Sequence, residues 1–495
     1  MGHHRRRILL ALALVCTAAA ALRFATLDAQ SLWYDESVTA QLMAPRLGGM
    51  LHALPDSEST PPLYYVLAWL WTQLLGTGEG GLRSLSALLG AATVPVVWAL
   101  GRRLGGDRAA LIAAALAAVN PMLVWFSQEA RSYALLTLLG ALSALLWLRA
   151  LEQPRNGRLV AWGAVAALAL GTHYFAAFLV APQALWLALR VPGPRSKAIA
   201  LALPAMAGAA LVPLALDQRS NEGAAFIGQS SLATRLAQIP KQFLIGYDAP
   251  AEALITILAA VAMFIAVAGL VLALRRPAAL EGTRRRDTSR LIALAAAALA
   301  LPLAALAVGE DHVLARNMIA VLPLLLALAA AGFAAAGELL PRPAAAAPVA
   351  FACALGVVTV IAVAGDKALQ RDDWRGAARA LGPIDGVRIV AAPAGALAPL
   401  RYYLPHVHAF THGAAVTREV DYLALALRDD NTRPRPPRPA AAPLPVPGFA
   451  ETGHTLTPEF TVLRLRARTP QPVYSSAVAT GLDGKPAAAL LVSRP

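Results

Sequence analysis

Apolar runs of about twenty residues recur along most of the chain, and short polar segments separate them. A helix needs about 20 predominantly apolar residues to cross the hydrocarbon core of a bilayer. The pattern therefore predicts an α-helical polytopic membrane protein with about eleven transmembrane helices. The predicted spans are residues 8–27, 83–101, 109–126, 133–150, 159–171, 174–190, 198–216, 253–274, 290–308, 316–336 and 347–364.

Arginine is distributed unequally between the loops that join these runs. Alternate loops are rich in arginine, from residues 5–7 to the segment 275–290, and the intervening loops hold few. Because short cytoplasmic loops are enriched in Lys and Arg, the amino terminus is predicted to lie inside. The run after Arg7 could be a signal peptide, but it is long enough to span. We favour an uncleaved first helix, with Arg23 reaching the membrane surface.

One apolar segment, 63–75, is too short to be assigned by length. It is bounded by Pro61, Pro62 and Gly76, which leaves about 13 residues. If it crossed the membrane, every later loop would change sides and the arginine-rich loops would face outward. We therefore predict a helix in the outer interface, within a first outer loop of residues 28–82 that contains interfacial helices.

Residues 365–495 lose the long apolar runs and gain charge and proline. Segment 369–381 has the spacing of an amphipathic helix, and segments 387–392 and 460–465 read as short strands. Residues 429–448 are rich in proline and predict an extended linker or loop. The chain is thus predicted to comprise a transmembrane catalytic domain, 1–364, and a small C-terminal extracytoplasmic α/β domain, 365–495.

Composition agrees with a membrane protein. Hydrophobic residues make up 58% and charged residues 15%, against about 25% charged residues in soluble proteins. The net charge of +14 could suggest nucleic acid, but the arginine-rich short loops explain it, so no nucleic-acid partner is predicted. Cys16 and Cys353 each lie in an apolar run and suggest neither a disulfide framework nor a metal site.

Asp35 and Glu36 follow the first apolar run and form an acidic pair in a loop at the membrane surface. An acidic pair in such a loop is often only a solvated surface. Trp33 and Tyr34 precede it, however, and an acid beside the hydrocarbon suggests a functional group. Because neighbouring side chains diverge, we predict that Asp35 meets the reacting centre and that Glu36 caps, orients or holds a cation.

Other polar residues collect at the predicted outer ends of the spans. Arg131 could bind an anionic group that Glu129 orients, or it could be an interface anchor. His173 could help to bind the donor phosphate, or it could be a hydrogen-bonded structural group. Arg316 needs an anionic partner, which could be a substrate or simply Glu310 or Asp311. His406, His408 and His412 have a spacing that a metal could use, but we predict no metal site there.

Several motifs together resemble the polyprenyl-phosphate-dependent glycosyltransferases of the GT-C superfamily. The resemblance is greatest to the family 39-like group, which contains protein O-mannosyltransferases and the lipid A aminoarabinose transferase. The motifs are LWYDES at 32–37, TPPLYY at 60–65, RSLSALLGAATVPVVWALGRRLGG at 83–106, NPMLVWFSQEARSYAL at 120–135, THYF at 172–175, ARNMIAVLPLLLALAAAG at 315–332 and DDWRGAARAL at 372–381.

The resemblance implies a GT-C fold, an aspartate base at Asp35 and cationic groups that hold a lipid-linked phosphate. Members often have His or Lys directly before the Pro-Pro pair, where this chain has Thr60. That departure shifts the expected phosphate contacts to Arg131, His173 and Arg316, and Glu129 and Tyr133 are further candidates for binding the donor. The residues expected to line the substrate pocket are Tyr64, Tyr65, Tyr174 and Asn317.

The expected function is transfer of a sugar from a polyprenyl-phosphate donor to an acceptor hydroxyl on the outer face of the cell membrane. The departing phosphate needs fixed positive charge but no proton, whereas the acceptor hydroxyl needs a base. The acceptor could be a glycan, a lipid or a protein, and no cofactor is predicted apart from a possible divalent cation. Hydrolysis stays open because Glu129 or Glu310 could act as a second carboxyl. A transporter or flippase of lipid-linked sugars is the main alternative.

Overall fold

A computed structural model describes residues 2–219, 227–228, 230–276, 282–339, 341–383, 386–404, 406–426, 446–482 and 484–493. The contacts within the chain divide it into two compact units. The first unit comprises Met1–Leu27 and Pro45–Val363, and the second comprises Asp28–Ala44 and Ala364–Pro495. The segment after the first apolar helix is therefore grouped with the carboxy-terminal residues.

Helices form most of the described chain. In chain order they are α1 (Gly2–Phe24), α2 (Tyr34–Met43), α3 (Leu47–Ser57), α4 (Leu63–Leu75), α5 (Glu79–Val119), α6 (Pro121–Ser127), α7 (Tyr133–Glu152), α8 (Asn156–Thr172), α9 (Ala177–Arg190), α10 (Pro194–Gln218), α11 (Leu232–Ile245), α12 (Glu252–Arg275), α13 (Gly282–Ala307), α14 (Leu322–Ala336), α15 (Arg342–Gly365), α16 (Trp374–Leu381) and α17 (Leu397–Tyr403). Short 3₁₀ helices at Tyr174–Ala176 and Ala315–Val321 lead into α9 and α14.

The helices of the first unit confirm a multi-pass membrane protein. Within the described residues, eight helices are long and apolar enough to cross a membrane. One of them, α5, is broken at Gly105 and Gly106, where Gly106 has a φ of +71° that favours glycine. The broken helix covers two of the predicted runs, and the shorter α8 and α9 cover two more. The number of crossings, eleven, stays a prediction.

Helix α4 has the bounds predicted for the ambiguous segment. It ends at Gly76, whose φ of +76° stops the helix in a conformation that glycine adopts readily. Its two tryptophans are anchored, because Trp69 Nε1 donates to the carbonyl of Pro45 at 2.9 Å and Trp71 Nε1 donates to Ser84 Oγ at 2.8 Å. Its placement in the interface rather than across the membrane stays a prediction.

Arg23 differs from its expectation, because its side chain is fully buried instead of reaching the surface. Its guanidinium donates to the carbonyls of Ala117 and Ala118 at 3.1 and 2.9 Å and to Ser127 Oγ at 3.1 Å. The last carbonyls of a helix have no partner within that helix. Arg23 of α1 therefore caps the end of α5, which explains why it does not extend to solvent.

The second unit contains a six-stranded sheet and confirms the predicted small α/β domain. Its strands are β1 (Val387–Pro393), β2 (Val407–Ala409), β3 (Ala414–Leu425), β4 (Ala450–Leu456), β5 (Phe460–Tyr474) and β6 (Ala487–Ser493). They are ordered β2-β6-β1-β3-β5-β4, with β1 and β3 parallel and the other pairs antiparallel. The sequence anticipated β1 and the first part of β5. Most of the predicted proline-rich segment, 429–448, lies outside the described residues.

Alternating residues place a core on each face of this sheet. Val390 of β1 packs with Trp374 of α16 and Leu400 of α17, whereas Ile389 packs with Tyr422 on the opposite face. This alternation is the two-residue period of a strand that is covered on both sides. Helix α16 begins later than its amphipathic pattern because Asp373 Oδ1 accepts a hydrogen bond from Gly376 N at 2.8 Å and caps it.

Candidate active site

The predicted site residues come from both units. Asp35 and Glu36 belong to the second unit, on the first turn of α2. All the other predicted donor and pocket residues belong to the first unit, at the ends of its helices. The geometry of each group is therefore described within its own unit.

Arg131 lies in the short turn between α6 and α7 and is buried. Its Nη1 donates to Glu58 Oε1 in a close ion pair, and their side chains are only 9% and 3% exposed. Removing two charges from water is costly unless they compensate each other, so this pair fixes the turn to the end of α3. The role of Glu58 was not predicted from the sequence.

Two tyrosines of α4 support the same turn. The Arg131 guanidinium carbon lies 5.9 Å from the centre of the Tyr65 ring, within the range of a cation–π contact. The Tyr65 hydroxyl is 3.1 Å from Thr60 Oγ1, and the Tyr64 hydroxyl is 2.9 Å from Ser86 Oγ. Both tyrosines are fully buried. Their contacts show a supporting role, and a role in a substrate pocket stays a prediction.

His173 lies between α8 and the following 3₁₀ helix and is 3% exposed. Its Nδ1 accepts a hydrogen bond from the backbone N–H of Phe175 at 3.2 Å, so the neutral ring carries its proton on Nε2. Burial, followed by the guanidinium groups of Arg131 and Arg316, lowers the pKa of His173 to about 3. His173 is therefore a neutral donor beside two cations and adds no positive charge itself.

The aromatic rings around His173 continue into the neighbouring helices. The ring centre of Tyr133, at the start of α7, lies 5.6 Å from that of His173, and the ring centre of Phe175 lies 4.8 Å from that of His173. The ring centres of Phe175 and His312 are 5.1 Å apart. Glu129 is also buried in this turn, and its carbonyl accepts from the backbone N–H of Arg131 at 2.8 Å.

Arg316 and Asn317 lie on the 3₁₀ helix that precedes α14. Asn317 Nδ2 donates to the carbonyl of His312 at 2.9 Å, which ties this helix to the loop before it. Arg316 and Arg131 are 185 residues apart in sequence, and the positive charge of each helps to lower the pKa of His173.

The acids next to Arg316 have partners on other helices. Asp311 accepts two hydrogen bonds from Arg235 of α11, at 2.6 and 2.7 Å, and these bonds lower the pKa of Asp311. Glu310 forms a close ion pair with Arg219, which directly follows α10. These pairs hold the loop to the end of α10 and to α11. Whether Arg316 serves a substrate or pairs with these acids stays a prediction.

Tyr174 connects the end of α10 with the loop before α4. Its hydroxyl donates to Gln218 Oε1 at 2.7 Å, and Gln218 Nε2 donates to the carbonyl of Thr60 at 3.3 Å. Gln218 was not anticipated from the sequence, because a single glutamine at the end of an apolar run gives no functional signal. As with the other pocket candidates, contact of Tyr174 with a substrate stays a prediction.

The two acids at the start of α2 have different environments. Glu36 is fully buried, and its Oε2 is 3.8 Å from Arg371 Nη1. Asp35 is half-buried, and within its own unit the described residues give its carboxylate neither a hydrogen bond nor an ion pair. The carboxylate of Asp35 can therefore accept a proton without first breaking a contact of that unit. No three His, Cys, Asp or Glu residues among those described form a metal-binding group.

Comparison with known proteins gives a family match in the first unit. Residues 59–216 match the family described as dolichyl-phosphate-mannose-protein mannosyltransferase. The matched segment contains Arg131 and His173, but not Asp35 or Arg316. No curated protein sequence matches the chain.

The fold is similar to that of ArnT from Cupriavidus metallidurans, in a crystal structure bound to undecaprenyl phosphate and in one of the apo state. Each of the two ArnT chains is 15% identical to this chain, and each match covers 79% of this chain. The match covers 84% of the ArnT chain in the bound structure and 83% in the apo structure, with TM-scores of 0.51 and 0.52. AglB, the oligosaccharyltransferase from Archaeoglobus fulgidus in complex with an inhibitory peptide and a dolichol-phosphate, is 14% identical over 76% of this chain and 58% of its own, with a TM-score of 0.48.

The family match and the ArnT-like fold confirm the predicted resemblance to the family 39-like GT-C glycosyltransferases.

Proposed function

We propose that the chain transfers a sugar from a polyprenyl-phosphate donor to an acceptor hydroxyl at the outer face of the cell membrane. The observation that carries this proposal is the positive charge that Arg131 and Arg316 both exert on the neutral His173, since Arg131 and His173 lie in the segment that matches the family. Guanidinium groups suit a phosphate because their planar fork donates two parallel hydrogen bonds. The undecaprenyl phosphate bound by ArnT is an anion of the same class.

The chemistry needs one base and fixed positive charge. We assign proton removal to Asp35: the acceptor O–H gives its proton to the carboxylate as the oxygen attacks the anomeric carbon. The bond between that carbon and the phosphate oxygen breaks, and its electron pair leaves with the polyprenyl phosphate. Arg131 and Arg316 stabilise the charge that develops on the phosphate. A single displacement of this kind inverts the anomeric centre.

Asp35 suits this role because it is partly exposed and, among the described residues of its unit, its carboxylate has no hydrogen-bond or ion-pair partner. Glu36 does not suit it, because its side chain is fully buried beside Arg371. We assign Glu36 to orienting the start of α2. The acceptor, whether glycan, lipid or protein, would be selected by residues of the second unit.

The test uses purified full-length protein with a panel of undecaprenyl-phosphate sugars and scores the release of undecaprenyl phosphate. Asp35→Asn should lower the rate by about 10²- to 10⁴-fold, because that is the usual contribution of general base catalysis. Binding of undecaprenyl phosphate, followed by tryptophan fluorescence, should change little. Equal rates for Asp35→Asn and the parental protein would remove the assigned base, and transport without sugar transfer would favour the flippase alternative.

A further inference from the structure

Within the second unit, the helix that carries Asp35 is held by residues that follow the last membrane helix. Ser31 Oγ donates to the carbonyl of Asp372 at 2.7 Å and accepts from the backbone N–H of Trp374 at 3.0 Å. The Gln30 side chain accepts from the backbone N–H of Arg371 at 3.2 Å. The segment before α2 and the segment before α16 are thus paired residue by residue, although about 340 positions separate them.

A second set of contacts holds α2 itself. The Tyr403 hydroxyl of α17 accepts a hydrogen bond from the backbone N–H of Leu32 at 2.7 Å, and Gln41 Nε2 donates to the carbonyl of Ala398 at 3.0 Å. Tyr34 packs against Gly395, where an added Cβ would lie 3.3 Å from the tyrosine ring. Both ends of α2 are therefore fixed to the C-terminal part of the unit.

Arg371 lies close to the residues on either side of Tyr34 and Asp35. Its guanidinium carbon lies 5.2 Å from the centre of the Trp33 ring, and its Nη1 lies 3.8 Å from Glu36 Oε2. Trp33 is the N-cap residue of α2, and Glu36 is in its first turn. One side chain that is 9% exposed therefore holds the helix start on both sides of Tyr34 and Asp35.

We propose that Arg371 is a positioning residue for Asp35 and acts through Trp33 and Glu36. This inference rests on the proposed function, because it assumes that Asp35 is the base. The planar guanidinium can stack on the indole and face the carboxylate at the same time, whereas a lysine ammonium offers only the charge. The C-terminal residues then help to build the catalytic apparatus in addition to contacting an acceptor.

The first arm of the test compares turnover of undecaprenyl-phosphate sugars by full-length variants. Arg371→Ala should lower kcat by about 10- to 100-fold, as a misplaced catalytic group does, with little change in the KM for the donor. Arg371→Lys should recover part of the loss. The matched control is Arg375→Ala, which removes a nearby arginine whose guanidinium donates to the carbonyl of Asp28 at 2.9 Å.

A double variant identifies the route by which Arg371 acts. If it acts through Glu36, then Arg371→Ala combined with Glu36→Gln should cost little more than the worse of the two single changes. Fully additive losses in kcat would overturn the coupling. Equal rates for Arg371→Ala and Arg375→Ala would overturn the positioning role itself.

The second arm needs no substrate and separates this inference from the proposed function. Amide hydrogen exchange in the intact protein should rise across α2 in Arg371→Ala, while exchange in β1 and in the Arg375→Ala control stays at the parental level. Unchanged exchange in α2 would contradict the inference even if sugar transfer is found. Raised exchange in α2, with no transfer from any donor tested, would instead defeat the proposed function and leave Arg371 with only a structural role.

Discussion

The turn that carries Arg131 and the helix start that carries Asp35 are both charged, but they are built differently. Arg131 is buried, pairs with Glu58 and lies against the Tyr65 ring. Asp35 is half-buried, and its carboxylate has no partner among the residues of its unit that the structure describes, while its neighbour Glu36 is buried. A charge that must stabilise a developing anion benefits from rigid placement, whereas a base must remain able to receive a proton.

The strongest way to break this comparison is to remove the buried arginine. Arg131→Ala should lower kcat/KM by about 10²- to 10³-fold, the usual cost of losing one charge-stabilising donor. It should also destabilise the protein by about 3–5 kcal/mol, because Glu58 would stay buried without its guanidinium. Thermal unfolding and the release of undecaprenyl phosphate measure the two effects separately.

The control is the double variant Arg131→Ala with Glu58→Gln. Neutralising the glutamate should restore most of the stability, because no uncompensated charge is left. It should not restore activity. If activity returned together with stability, Arg131 would have only a structural role, and its assignment as the group that stabilises the developing anion would be wrong.

A smaller effect on the reaction rate is expected when His173 is replaced. His173→Gln should lower the rate by about two- to tenfold, which corresponds to one neutral hydrogen bond. Because the pKa of His173 is lowered to about 3, its imidazole stays neutral from pH 5 to 8 and should give no limb in the pH–rate profile. A limb near pH 6 to 7 that disappears in this variant would show instead that the histidine is a titrating catalytic group.

The smallest effect on turnover is expected at a buried charge to which we assign no chemistry. Asp421 is fully buried between Arg388 and Arg464, each 3.2 Å away, and burial raises its pKa to about 6. The folded state then binds the proton more tightly than the unfolded state, so stability should increase as the pH falls from 7 to 5.

Asp421→Asn should abolish that increase and leave sugar transfer unchanged. Amide exchange in β3 of the intact protein, corrected for the intrinsic effect of pH, measures the first result. A loss of activity comparable to that of Arg131→Ala would show that buried charge in the second unit also serves the reaction.

Elements whose bounds depend on neighbouring residues were predicted correctly from the sequence. The bounds of α4 follow from two prolines and a glycine, and the two strands that were predicted have alternating or β-branched residues. The Arg131–Glu58 pair was not predicted, because 73 residues separate its members and nothing local links them. The grouping of α2 with the C-terminal residues was missed for the same reason, and α11 was missed because it is shorter and more polar than a span.

The buried Arg23 makes the first helix more than a membrane anchor. An unrelated apolar helix would hold the chain in the bilayer, but it would leave the carbonyls of Ala117 and Ala118 without their guanidinium donor in a water-poor environment. Gly90 has a linked constraint, since a Cβ there would lie 1.9 Å from Ser127 Oγ, which accepts from Arg23. Exchanging α1 for a generic signal anchor should therefore preserve insertion while loosening the junction between α5 and α6.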